Sequence, residues 1–462
     1  MTLIKSISGI RGTIGGRAEE NLTPPDAVKF ASAYGTWLLR RHSNDRKPKV
    51  VIGRDARISG KMISSLVSNT LVGLGIDVID LGLSTTPTVE VAVVLEKADG
   101  GIIITASHNP KQWNALKLLN EEGEFLNADE GRIILALAAA QDFEFAQVED
   151  LGAYSKVKDY FKRHIDEVLN LELVDAEAIK MAGFKVVVDA VNSTGGIVIP
   201  KLLESLGVEC VKLYCDPNGE FPHNPEPLPE HLTEISKLVV SESADLGIVV
   251  DPDVDRLAIV SEDGSMFGEE YTLVACADYV LSKRPGNTVS NLSSSRALKD
   301  ITHKYGGQYQ ASAVGEVNVV ELMKVNEAVI GGEGNGGIIY PEAHYGRDSL
   351  VGVALFLSHL AHQKVSCKSL RDSYPSYYMS KNKIELTPKI DVDGILTAMA
   401  TRYKNEEVSL VDGVKIDFDR EWVHLRKSNT EPIIRIYTES STQEAADALA
   451  RRIMDEIQQM AV

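Results

Sequence analysis

At 462 residues the chain exceeds what one ordinary hydrophobic core holds, so three or four domains are expected. Hydrophobic residues at 44% and charged residues at 25% give the composition of a folded, soluble protein and exclude extensive disorder. With 66 acidic against 48 basic side chains the net charge is −18, which argues against nucleic acid as a partner and obliges any site for an anionic ligand to gather its cations locally.

The amino terminus, Met1 to Gly12, has no apolar stretch long enough for an export signal, because Arg11 closes off the short one present. The first strand–loop–helix–glycine–strand unit follows. Lys49-Val50-Val51-Ile52-Gly53-Arg54-Asp55 leads through an amphipathic stretch to Leu74 and resumes as Gly75-Ile76-Asp77-Val78-Ile79. Gly101-Ile102-Ile103-Ile104 is an apolar strand that ends abruptly in Thr105-Ala106-Ser107-His108-Asn109-Pro110. The longest strictly apolar run, Ile133 to Ala140, is far shorter than the ~20 residues of a membrane-spanning helix. No membrane association is expected, and a cytoplasmic location is.

The unit recurs as Lys185-Val186-Val187-Val188-Asp189, Asn192 to Gly196, a helix through Leu206, and Gly207 to Val211. A weaker third copy runs from Thr288-Val289-Ser290 through Ser293-Ser294-Ser295 to Gly306-Gly307. This is βαβ grammar, in which a glycine caps each helix with a positive φ. After about Ser373 the rhythm breaks into short alternating runs such as Val414 to Phe418 and Trp422 to Leu425, the pattern of an antiparallel sheet. A closing helix from about Gln443 places Ala445, Leu449, Ile453 and Ile457 on one face. The fold class expected is α/β with four domains. Three have related mixed βαβ cores (1–152, 153–256 and 257–372), and a C-terminal α+β domain (373–462) carries an antiparallel sheet. The four cysteines have no common zinc or redox spacing and read as buried thiols.

Four loops carry chemistry. Ser107 sits at a strand's carboxyl end, where open α/β sheets present ligand-binding groups; a plain Asn-Pro turn is the alternative. Leu246 to Val250 delivers Asp251-Pro252-Asp253-Val254-Asp255-Arg256, whose alternating carboxylates suit a hard cation. Arg256 stands where a calcium loop needs glycine, so Mg²⁺ sharing a phosphate oxygen is the better reading. In Gly331-Gly332-Glu333-Gly334-Asn335-Gly336-Gly337 the glycines permit close approach of a ligand, and Glu333 and Asn335 can hydrogen-bond sugar hydroxyls. Arg426-Lys427-Ser428-Asn429-Thr430, followed by Arg435, combines guanidiniums with hydroxyl and amide groups into a phosphate clamp.

Together, and in this order, the four loops resemble those of the α-D-phosphohexomutase family over essentially the whole chain. The resemblance implies four domains around a central cleft, each contributing one loop to a heart-shaped molecule. Ser107 would be the phosphoserine and, with Asp251, Asp253 and Asp255, would hold Mg²⁺. Arg11 and Arg256 match arginines near the transferring group, Lys117 falls where the family carries a basic residue for proton transfer, and His108 lies beside the serine. A sugar 1,6-bisphosphate would act as activator, a phosphosugar as the small-molecule substrate, and the enzyme as a monomer or homodimer. The intermediate would reorient while Arg426, Ser428, Asn429, Thr430 and Arg435 hold its distal phosphate, with hinge motion near Ser373 to Ser380.

Two departures from the family stand out. Many members end the glycine loop in His where this chain has Gly337, leaving His108, Lys117 or His344 as candidate bases. Many carry Lys before the third domain's Val-Gly, where this chain has Ala313. Arg347 could compensate, or pair with Asp348. The Glu333 to Gly337 loop is similar to those of members assigned as phosphoglucosamine mutases, which implies conversion of glucosamine 6-phosphate to glucosamine 1-phosphate. Phosphomannomutase or phosphoglucomutase activity is the first alternative, and a metal-dependent sugar phosphatase or an inactive phosphosugar sensor are the remote ones.

Overall fold

The computed structural model describes residues 2–6, 9–42, 46–385, 391–427 and 433–460, which form four sheets. The first sheet runs, edge to edge, Ile4–Ser6, Gly9–Thr13, Trp113–Leu119, Gly100–Ile104, Lys49–Arg54, Asp77–Leu83 and Tyr154–Lys156. Alternate residues of its β-branched centre go to opposite faces. Val50, Ile52, Ile102 and Ile104 pack with Phe30, Trp37, Ile63 and Val67 from helices Pro24–Arg41 and Gly60–Gly73. Val51 and Ile103 pack with Val89, Ala92 and Val93 of helix Thr86–Leu95. Burial on both faces is why these strands read as unbroken apolar runs.

The recurring grammar becomes a shared topology. In the first sheet Lys49–Arg54 has parallel neighbours Asp77–Leu83 and Gly100–Ile104, and the latter is flanked by antiparallel Trp113–Leu119. In the second, Lys185–Asp189 lies between parallel Glu209–Leu213 and Leu246–Val250, with antiparallel Leu257–Ser261 beyond. In the third, Asn287–Asn291 lies between parallel Tyr309–Ser312 and Ala328–Glu333, with antiparallel Gly337–Ile339 beyond. Each sheet is therefore mixed rather than purely parallel. The connection from the parallel strand into its antiparallel neighbour carries the serine loop, the aspartate loop and the glycine loop in turn, so these are one topological position used three times. Tyr154–Lys156 joins the first sheet and Leu257–Ser261 the second, so the sheets divide the chain slightly later than residues 152 and 256.

The C-terminal sheet is antiparallel throughout, in the order Tyr378–Glu385, Ile433–Ser440, Trp422–Lys427, Val414–Asp417, Glu407–Ser409. Helix Gln443–Met460 covers it with Leu449, Ile453 and Ile457; Ala446 is the buried alanine of its first turn, and Ala445 is half-buried. Cores follow a different division from sheets. The second and third domains share one continuous core, which includes Val186 and Val188 from one sheet and Ile330 and Ile338 from the other. The C-terminal domain has a small core of its own around Ile416, Val423, Ile434 and Ile453.

His164 joins the first three domains. Its Nδ1 lies 2.9 Å from Thr88 Oγ1 and its Nε2 lies 2.8 Å from Asp348 Oδ2, while Asp348 Oδ1 caps helix Ser349–Gln363 by accepting from Leu350 N. All four cysteines are free; Cys276 and Cys367 are buried as expected, but Cys210 and Cys215 are half-buried. Among the described residues no helix is long and apolar enough to cross a membrane.

Candidate active site

Strand Gly100–Ile104 ends in Thr105-Ala106-Ser107, and Ser107 takes a left-handed φ of 47°. That conformation costs free energy for a non-glycine residue and needs a surround that enforces it. Arg57 supplies it. Its buried guanidinium donates through Nη2 to the carbonyls of Ser107 (2.5 Å) and Asn109 (2.6 Å), and through Nη1 to those of Pro110 (2.7 Å) and Trp113 (3.0 Å). Its Nε donates to Asp55 Oδ2 at 2.9 Å, and the same carboxylate oxygen accepts from Thr105 Oγ1 at 2.7 Å. Arg57 is absent from the sequence-derived set. A charged Asp55–Arg57 pair straight after the strand Lys49–Arg54 is the signal that marks it.

The aspartate loop meets this serine. Ser107 Oγ donates to Asp251 Oδ2 at 2.8 Å, and Asp251 Oδ1 accepts from the backbone N–H groups of Asp255 (3.1 Å) and Arg256 (3.2 Å). Asp253 and Asp255 are fully buried, and one Oδ1 of each has no hydrogen-bond partner among the described residues. One carboxylate oxygen from each of the three aspartates lies within 4.8 Å of the others. Orphaned buried carboxylate oxygens beside one another fit a hard divalent cation, whose ligands are oxygens. Burial, with Asp253 and Asp255 beside it, pushes Asp251 well above the usual carboxylate range. Burial alone would raise Asp255 too, but Arg347, Lys117 and Arg256 hold it below that range.

Two domains dock onto this loop. From the first, Thr86 Oγ1 donates to Asp253 Oδ2 at 2.5 Å, and Lys117 Nζ donates to Asp253 Oδ2 at 2.7 Å and Asp255 Oδ2 at 3.3 Å. From the third, Arg347 Nη2 donates to Asp255 Oδ2 at 2.7 Å. The chain's own cations thus offset part of the triad's charge. Burial lowers the basicity of Lys117, but Asp253 and Asp255 outweigh it and raise the pKa above the ordinary lysine value.

His108 reports the local field. Its Nδ1 lies 3.3 Å from Ser107 Oγ, and burial, followed by Arg256 and further by Arg347 and Arg11, lowers its pKa to about 2 against the pull of Asp255. A neutral imidazole among three arginines, in a protein of net charge −18, marks a pocket built for an anion. Arg256 Nη1 lies 3.4 Å from Glu226 Oε1, and its Nε is buried without a hydrogen-bond partner among the described residues. Arg11, on strand Gly9–Thr13, also has a buried Nε of that kind, and burial together with Arg435 lowers its pKa. Arg435 of the C-terminal clamp thus lies within electrostatic reach of Arg11 in the first domain.

In the glycine loop, Glu333 is buried and already engaged. Its Oε1 accepts from Asn291 Nδ2 (2.8 Å) and Gly315 N (3.2 Å), and its Oε2 accepts from Arg347 Nη1 (2.9 Å). Asn335 Oδ1 accepts from Gly337 N at 3.2 Å. Arg347 pairs with Asp255, Glu333 and Glu316 rather than with its neighbour Asp348, which serves the two histidines His164 and His344. On the last sheet Arg426 and Arg435 are cross-strand partners, and Arg426 Nε lies 2.7 Å from Asp412 Oδ2. Ser428, Asn429 and Thr430 lie outside the described residues.

Four mixed or antiparallel domains that converge a strained serine, an acidic triad, a glycine loop and paired arginines define a phosphosugar-handling enzyme. Comparison with known proteins agrees. Domain descriptions of phosphoglucomutase/phosphomannomutase match in order: alpha/beta/alpha domain I over 3–145, domain II over 162–264, domain III over 268–378 and the C-terminal domain over 383–456. The chain belongs to this family, the α-D-phosphohexomutases, and is an isomerase with phosphohexomutase activity. It is 37% identical over 439 residues to a phosphoglucomutase/phosphomannomutase of Thermococcus kodakarensis, covering 94% of this chain and 95% of that one. It is 31% identical over 453 residues to a phosphoglucosamine/phosphogalactosamine mutase of Sulfurisphaera tokodaii, covering 96% and 97%. A crystal structure of a phosphoglucomutase/phosphomannomutase family protein from Burkholderia thailandensis superposes with a TM-score of 0.86 at 25% identity, over 100% of this chain and 99% of that one.

Proposed function

We propose that the enzyme interconverts hexosamine or hexose 6-phosphates and 1-phosphates through phosphorylated Ser107, with glucosamine 6-phosphate as its preferred substrate. The observation that carries this reading is the 2.8 Å contact between Ser107 Oγ and Asp251, in a pocket where burial and three arginines depress His108. Asp251, Asp253, Asp255 and Ser107 would hold Mg²⁺, which when bound neutralises phosphate charge. Phosphoryl transfer depends chiefly on alignment and charge neutralisation, and the remaining groups serve those ends. Arg11, Arg256 and Lys117 hold the transferring phosphate by charge. As the P–O bond to Ser107 breaks and the bond to the sugar oxygen forms, the sugar hydroxyl loses a proton. Neutral His108, whose Nδ1 lies 3.3 Å from Ser107 Oγ, takes that proton and delivers it to the departing serine oxygen, and the negative charge of the phosphate favours the protonated imidazole against the burial and the arginines that disfavour it. The bisphosphorylated sugar then turns over within the cleft while Arg426 and Arg435, with Ser428 to Thr430, hold the distal phosphate and the C-terminal domain swings about 373–380. A sugar 1,6-bisphosphate activator restores phosphoserine when it is lost.

Sugar preference is assigned to the glycine loop, where Glu333 and Asn335 would read ring substituents through the acceptor capacity their contacts within the chain leave. The name borne by the Thermococcus relative favours the second reading, glucose and mannose phosphates. Assay of the purified enzyme on glucosamine, glucose and mannose 6-phosphates, with catalytic bisphosphate and Mg²⁺, separates them through kcat/KM. Release of stoichiometric inorganic phosphate in place of 1-phosphate would convert the reading to a phosphatase. Binding without phosphorylation of Ser107 would convert it to a sensor.

A further inference from the structure

Glu333 and Gly337 face each other across the antiparallel pair that forms the glycine loop, so side chains at these positions project to the same side. Gly337 has none. A β-carbon there would lie 2.2 Å from Arg347 Cδ and 3.0 Å from its Cγ, because the arginine's stem runs through that space. The guanidinium emerging beyond it is buried and makes contacts of different origin. Nη1 donates to Glu333 Oε2 at 2.9 Å, Nη2 donates to Asp255 Oδ2 at 2.7 Å, and Nε lies 3.1 Å from Glu316 Oε2. The backbone N–H of Arg347 donates to the other oxygen of Glu316 at 2.9 Å, which fixes where the stem begins. A planar fork of this kind can hold two carboxylates at a set spacing and angle, whereas an ammonium offers a single point of charge.

We infer that Arg347 is a positioning residue, threaded through the space Gly337 leaves empty, that clamps the sugar-reading carboxylate Glu333 to the aspartate loop at Asp255. It sets the distance between the bound sugar and the centre of phosphoryl transfer. The inference rests on the roles given above to Glu333 and Asp255. Glycine at 337 is required by this arrangement and not by backbone conformation, since its φ lies outside the left-handed region.

The test uses the full-length enzyme with Arg347→Met, Arg347→Lys, Gly337→Ala and the double variant Gly337→Ala/Arg347→Met. Readouts are kcat, phosphosugar KM, Mg²⁺ affinity by calorimetry and melting temperature. Arg347→Met is expected to lower kcat/KM by about 10- to 100-fold and to weaken Mg²⁺ binding, the scale for losing a group that orients ligands. Arg347→Lys is expected to recover the melting temperature and not the kinetics. Gly337→Ala, which displaces the stem, is expected to reproduce the kinetic loss, and to add less than about twofold in the Met background. Additive losses, wild-type kinetics in Arg347→Lys, or a Met variant that loses melting temperature alone would each overturn the inference. Should Arg347→Met not fold, the Lys and Ala variants carry the same decision. Glu333→Gln separates the layers: if it leaves phosphosugar KM unchanged, the reading of the sugar loop fails and this inference with it. If it raises KM while Arg347→Met is silent, only this inference fails.

Discussion

The serine–aspartate half of the site and the arginine clamp are built by opposite means. Around Ser107 a buried lattice draws on three domains: Arg57 under the loop, Thr86 and Lys117 on Asp253, Arg347 on Asp255. The second and third domains share a core beneath it. Arg426 and Arg435 instead ride on a sheet with its own small core. That sheet meets the third domain through polar contacts such as Ser293 Oγ to His424 Nδ1 (2.8 Å), Val314 N to Asp412 Oδ2 (3.0 Å) and Arg296 N to Glu439 Oε1 (3.0 Å). Apolar contact makes a rigid union, whereas polar contacts can exchange with water at modest net cost. The aspartate and glycine loops thus stand on one shared core, whereas the clamp meets them through polar contacts, as expected if an intermediate must turn around between them.

On that contrast, the largest effect comes from the serine–aspartate half. Ser107→Ala is expected to lower kcat on the order of 10⁶-fold, the scale for losing a covalent nucleophile, with melting temperature and phosphosugar binding retained. Appreciable turnover in that variant would end the phosphoserine mechanism. Next comes the scaffold under the serine. Arg57→Met leaves Asp55 buried without its cation and four loop carbonyls without donors, and is expected to cost about 3–5 kcal/mol of stability in a denaturant titration. A loss below about 1 kcal/mol would show that Ser107 holds its left-handed backbone by other means.

What the sequence revealed, and what it hid, follows the same line. The four loops were legible because each ends an apolar strand, and a ligand loop needs its residues consecutive. The equivalence of three of them was not, because it depends on the antiparallel strands beyond. Gly337–Ile339 spans only three residues, and Trp113–Leu119 carries Asn114 and Lys117 among its apolar positions. Arg57 and Thr86 were hidden, and Arg347 was visible without its partners, for a further reason: they act on Ser107, Asp253 and Asp255 across separations of 50, 167 and 92 residues. No spacing rule reaches so far. Sequence adjacency even pointed Arg347 at Asp348, whose carboxylate is committed to a helix cap and two histidines.

The clamp predicts smaller effects of a different kind. Arg426→Ala removes charge-assisted hydrogen bonds to a phosphate, worth about 1.5–3 kcal/mol, so KM is expected to rise roughly 10- to 150-fold for every phosphosugar alike. Steady-state kinetics on glucosamine, glucose and mannose phosphates check this; loss confined to one sugar would mean that the arginine reads the ring.

The effect that is smallest at neutral pH concerns the bond between the third and C-terminal domains at His424. Its Nε2 lies 2.6 Å from the carbonyl oxygen of Asp412, which can only accept, so the proton sits there and Nδ1 accepts from the Ser293 hydroxyl. Burial, partly offset by the bond to Asp412, lowers the pKa to about 4 from an ordinary 6.5. Between those values the unfolded chain binds a proton that the native chain does not, so stability falls as the pH drops from about 6.5 to 4, with a slope of at most about 1.4 kcal/mol per pH unit from this group. His108, depressed to about 2, adds a share of the same sign in the serine–aspartate half, so wild type alone cannot separate them. Urea titrations of wild type and His424→Gln across this range can. The variant should lose its own share of the slope, and limited proteolysis near pH 4.5 should release the C-terminal domain of the wild type first. Equal slopes in the two proteins would mean that the histidine titrates normally and that the clamp is fastened elsewhere.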